Sequence, residues 1–91
     1  MSRIKVTFQN DLKLLKMLRD EIKLQAKLLK ADARKRYAEL EARWSELQEH
    51  LNRAEVAGAD AGEDARTAVR KLIDTLKAGY ESIVKALKSP A

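Results

Sequence analysis

The chain has no cysteine. Disulfides, thiolate catalysis and zinc–sulfur sites are therefore excluded, and a reducing cytoplasmic setting is expected. It has one proline, three glycines and four aromatic residues. Strands joined by tight turns need more turn-forming and β-branched residues, so this scarcity favours helix. No apolar run approaches the ~20 residues that span a bilayer. The start, Met1-Ser2-Arg3-Ile4-Lys5-Val6, lacks the apolar core and small-residue cleavage site of an export signal.

Charged residues make up 36% of the 91 and are interspersed with Leu and Ala. This is the composition of solvated helices with a narrow apolar seam. Such a shape has little interior, which argues against a buried substrate pocket and an enzyme. The net charge of +5 is unevenly spread. Residues 1–36 carry 11 basic and 4 acidic groups, residues 37–64 carry 2 and 8, and residues 65–91 carry 6 and 2. A chain folded back near residue 60 would be an electrically bipolar rod with an acidic tip.

Ile4, Val6 and Phe8 alternate with Lys5 and Thr7. Period-two spacing fits a short extended segment over 1–9, and a frayed helical start fits equally. Residues 10–91 then read as one helical-hairpin domain. Asn10 is a suitable N-cap and Asp11 suits the first turn. From there to Ala57 there is no proline or glycine, and apolar residues recur every three or four positions: Leu15, Leu18, Ile22, Ala26, Leu29, Ala33, Tyr37, Leu40, Trp44, Leu47 and Leu51. They lie on one face of a single long helix, about 10–57. Leu18, Leu29, Leu40 and Leu51 recur every eleven residues, which implies straight or slightly right-handed pairing.

Gly58 offers a helix C-terminus, and Asp60 with Glu63 has capping-box spacing for a second helix. That helix should span about 61–88, with Ala65, Val69, Leu72, Leu76, Tyr80, Ile83 and Leu87 on its seam and Lys85, Lys88 and Ser89-Pro90 at its end. The short connection makes the two helices antiparallel neighbours. The expected fold is therefore all-α: an antiparallel two-helix coiled-coil hairpin with eleven-residue repeats. Its core would be Leu29, Tyr37, Leu40, Trp44, Leu47, Leu51, Val69, Leu72, Leu76, Tyr80 and Ile83.

The two helices differ in length. About 47 residues give ~70 Å and about 27 give ~40 Å, so some 20 residues, Asn10 to Leu29, overhang. The overhang also carries Leu14, Met17, Leu24 and Leu28, on the side of the helix away from the seam. A helix apolar on two faces is normally buried on two sides. These four residues are therefore expected to carry self-association. The simplest assembly is a homodimer whose overhangs cross antiparallel, each covering the partner's second helix in a larger bundle.

Lys16, Lys23, Lys27, Lys30 and Arg34 form a basic stripe beside the seam, a candidate anion-binding surface. The first reading of such a stripe is a solvated face whose lysine stems shield the seam; as a functional surface it suits anionic lipid or phosphate. Nucleic acid is the poorer match, since no aromatic residue interleaves with the lysines. His50, four residues after Glu46, makes a poor metal site alone. Glu39, Glu41, Glu46 and Glu49 read as an exposed acidic face without a pocket. Gly58 and Gly62 match no phosphate loop. No catalytic residue, metal, cofactor or small-molecule substrate is expected; a protein partner other than itself stays open.

Lys30-Ala31-Asp32-Ala33-Arg34 with Tyr37, the turn Gly58-Ala59-Asp60-Ala61-Gly62-Glu63-Asp64, and Lys77-Ala78-Gly79-Tyr80 together resemble a widespread group of short bacterial coiled-coil hairpin proteins, loosely labelled stress-related. The resemblance covers about residues 15–88 and implies a soluble two-helix protein without an established activity. Gly62 stands where relatives tend to have an aromatic residue, and Arg3–Phe8 is more strand-like than their helical start. The resemblance carries over no catalytic residue.

Overall fold

A computed structural model describes residues 6–57 and 63–88. The expected turn at 58–62 and the segment 1–5 lie outside these. The chain is all-α, and the described residues form a bundle of three helices: α1 (Gln9–Leu24), α2 (Ala31–Ala57) and α3 (Glu63–Lys88). No strand occurs among the described residues; Val6 and Thr7, candidates for an extended segment, are helical.

The single helix expected over 10–57 is broken. Helix α1 stops at Leu24, and a three-residue 3-10 turn, Ala26–Leu28, follows. Leu29 is extended, with φ −71° and ψ 130°. Without proline or glycine, the break is held by tight local bonds. The Gln25 N–H donates to the Ile22 carbonyl at 3.1 Å, Leu28 to Gln25 at 2.9 Å and Leu29 to Ala26 at 3.2 Å. The first bond of α2 runs from the Arg34 N–H to the Lys30 carbonyl at 2.9 Å, and Asp32 sits favourably in its first turn.

Burial is what the break gains. Phe8, Leu15, Ile22 and Leu29, seven residues apart, are all buried. Each such side chain stabilises by about 1.5–3 kcal/mol relative to exposure. A straight helix would have held much of this face beyond the end of its partner. Folding back lays it against α3, so the molecule is 48 Å long, well short of the ~70 Å of the expected rod. The Arg70 guanidinium lies 5.2 Å from the centre of the Phe8 ring, and Lys88 Nζ lies 3.4 Å from Glu21. Helices α1 and α3 therefore run in the same direction.

Helix α3 is the central element, packed by α1 and by α2. It must be apolar over a wide arc, and it is. Val69, Leu76, Tyr80 and Ile83 are buried as the spacing predicts, with Leu72, Ala65 and Leu87 partly buried beside them. Ile73 and Val84 are buried as well, although neither lies on the expected seam. On α2, Leu40, Leu47 and Leu51 are buried, and Ala33, Tyr37 and Trp44 pack against them. These six follow steps of 4, 3, 4, 3, 4, a seven-residue pattern. The eleven-residue series from Leu18 to Leu51 crosses the break and is not the repeat of one helix.

Candidate interaction surface

The break removes the overhang but not its outer face. With α1's inner face on α3, the opposite side points to solvent. Met17 is 68% exposed, Leu24 87% and Leu28 69%. Leu14, beside this row, is half-buried, and Val6, ahead of α1, is 54% exposed. Large apolar side chains this exposed are left over after the bundle has closed its own core. The expectation that α1 covers a partner's second helix is corrected here: it covers α3 of its own chain.

The basic stripe is divided by the break. Lys16 and Lys23 lie on α1, Lys27 and Lys30 on the reversal, and Arg34 in the first turn of α2; all five are exposed. Lys23, Lys27 and Lys30 make no ion pair among the described residues. No acidic residue occurs between Ile22 and Ala31, so Leu24 and Leu28 sit in a locally cationic setting.

A polar cluster fastens α1 to the rest of the bundle. Arg19 Nε donates to both Glu41 oxygens, at 3.0 and 3.1 Å, with both side chains about three-quarters buried. Its guanidinium lies 5.1 Å from the centre of the Trp44 ring, an arrangement that adds cation–π attraction. Glu41 therefore leaves the exposed acidic face on which the sequence placed it. Arg19 was not singled out in the sequence, but it had a signal: it shares the inner face with Leu15 and Ile22, and a cation there requires an acid. Below it, Tyr37 and Tyr80 meet with ring centres 6.3 Å apart. Neither hydroxyl makes a hydrogen bond of good geometry. Burial raises the pKa of both, and the neighbouring Glu41 charge raises it further, while Arg19 opposes.

The remaining candidates are not brought together. Glu46 pairs with Arg43 at 3.3 Å and Glu49 with Arg53 at 2.8 Å, both near the surface. His50 is half-buried, and no group of three or more His, Cys, Asp or Glu that could hold a metal occurs among the described residues. An open groove between α2 and α3 is lined by Arg36, Glu39, Leu40, Thr75, Gly79 and Ser82 among others, so Glu39, expected on a face without a pocket, borders one. None of the described helices is long and apolar enough to cross a membrane.

No protein-family model matches the chain, and no curated protein or solved structure does.

Proposed function

We propose that this protein is a non-enzymatic, cytoplasmic interaction bundle that associates with itself through the outer face of α1 and the turn that follows it, using Leu14, Met17, Leu24 and Leu28. The observation that carries the reading is the exposure of Met17, Leu24 and Leu28 on a bundle whose core is already filled. A row of this kind marks an interface. Helices α2 and α3 are read as the antiparallel hairpin of the fold, supported by the contact of Tyr37 with Tyr80 and the short link from Ala57 to Glu63. The resemblance to the bacterial hairpin group fits a protein that works by packing rather than by chemistry.

The test is the solution mass by light scattering on a sizing column, over a range of concentrations. The wild type should run as a dimer and Leu24→Asp/Leu28→Asp as a folded monomer. A monomeric wild type overturns the reading; an assembly that keeps its mass in the double variant moves the interface elsewhere.

A second reading rests on the acid-free reversal. Leu24 and Leu28 between Lys23, Lys27 and Lys30 make a wedge suited to an anionic lipid surface. It predicts sedimentation with acidic but not neutral vesicles, lost in high salt.

A further inference from the structure

The outer face of α1 carries a charge pattern as well as an apolar row. Asn10, Leu14, Met17, Glu21 and Leu24, in steps of four and three, form one seam along the helix. On one flank of it stand Lys13 and Asp20, seven apart and both exposed, and on the other Leu18 and Gln25. Glu21 is taken by Lys88 of its own chain. Lys13 and Asp20 have no ion-pair partner among the described residues. The seam is thus apolar at Leu14, Met17 and Leu24 and polar at Asn10 and Glu21, and it is edged by one cation and one anion without an ion pair of their own among the described residues, placed symmetrically about a point close to Met17.

Resting on the reading that α1 mediates self-association, we infer that two copies pair α1 against α1 in antiparallel orientation, with Lys13 of each facing Asp20 of the other. In an antiparallel helix pair, residues on one flank meet the same flank of the partner. A two-fold axis beside Met17 then brings Lys13 opposite Asp20 twice, while Leu14 packs on Met17 and Leu24 reaches the start of the partner's α1. A parallel pair offers nothing comparable, because that flank would meet the opposite one, where Leu18 and Gln25 stand. Parallel pairing would also stack the two reversals bearing Lys23, Lys27 and Lys30, whereas the antiparallel one separates them. The partner is thus a second copy of this chain, and the Lys13–Asp20 pair sets its orientation.

Charge reversal tests this. Lys13→Glu sets Glu against Asp at both contacts, and Asp20→Lys sets Lys against Lys. Each alone should weaken the dimer about tenfold at low salt, as expected when two flanking pairs turn from attraction to repulsion. The double variant K13E/D20K should recover wild-type affinity. An equimolar mixture of the two single variants should form a heterodimer more stable than either homodimer. The effect should fade in 1 M salt. All substituted side chains are exposed, and circular dichroism checks that the fold is intact. If the wild type dimerises and L24D/L28D abolishes it, but the single reversals change nothing or the double variant does not recover, the antiparallel register is overturned while self-association stands. A wild type that is monomeric throughout overturns both.

Discussion

The Leu40 side chain fills the space that a β-carbon on Gly79 would need: such a carbon would lie 2.5 Å from Leu40 Cδ2 and 2.7 Å from Cδ1. The glycine lets α2 approach α3 closely and gives Leu40 its seat. Gly79→Ala should gain about 1 kcal/mol in helix propensity but cost about 1–3 kcal/mol in overpacking, for a net loss of about 1 kcal/mol by chemical denaturation. In a Leu40→Ala background the overlap is gone, and the same substitution should stabilise. A reversal of sign across this double-mutant cycle is the expected result; equal effects in both backgrounds would show that Leu40 is not seated there.

The break before α2 is tested by proline. Ala31 is the first residue of α2, where a proline is well tolerated because that N–H has no helical partner. Leu29 is already extended, so the approach to the helix is not helical. Ala31→Pro should change stability by less than about 1 kcal/mol, since proline at a first helical position costs little. In a continuous 10–57 helix it would cost about 3 kcal/mol and reduce helicity. Urea titration followed by circular dichroism distinguishes the two.

Ile22 and Leu24 are two residues apart and differ completely in environment: Ile22 is fully buried and Leu24 is 87% exposed. Ile22→Ala should cost about 3 kcal/mol through lost contacts and a cavity. Leu24→Ala should stay within about 0.5 kcal/mol of the wild type when measured at concentrations too low for association. Similar losses at both sites would show that α1 does not dock on α3 as described.

Alkaline pH should destabilise the bundle through its two tyrosines. Burial favours the neutral phenol of Tyr37 and Tyr80, so their folded pKa values lie above the ~10 of an unfolded tyrosine. The stabilisation is complete below pH ~10 and is lost as pH rises beyond it, by up to about 1.4 kcal/mol per pH unit for each tyrosine. Phenolate absorbance should therefore appear together with unfolding, not before it. Tyr80→Phe should reduce this dependence and leave neutral-pH stability equal or higher, because its buried hydroxyl makes no hydrogen bond of good geometry.

Helix content, the second helix and most of the α2–α3 core were legible from spacing alone: Leu40, Leu47, Leu51, Val69, Leu76, Tyr80 and Ile83 follow the three-and-four rhythm and are buried. The apolar surplus at Met17, Leu24 and Leu28 was legible too, and all three are exposed. What could not be read locally is the reversal at Gln25–Lys30. Neither proline nor glycine marks it, and helix propensities differ by only a few tenths of a kcal/mol per residue there. The break is fixed by where Phe8, Leu15, Ile22 and Leu29 are buried, a sum of several kcal/mol that exists only once α3 is beside them. Ile73 and Val84 are the complementary trace on α3, which needs a second apolar flank because it has two neighbours. The sequence by itself determined that the chain is helical and that it carries more apolar surface than one seam can hide. Only the tertiary structure decided how that surface is divided, because burial depends on contacts between distant residues that no local pattern contains.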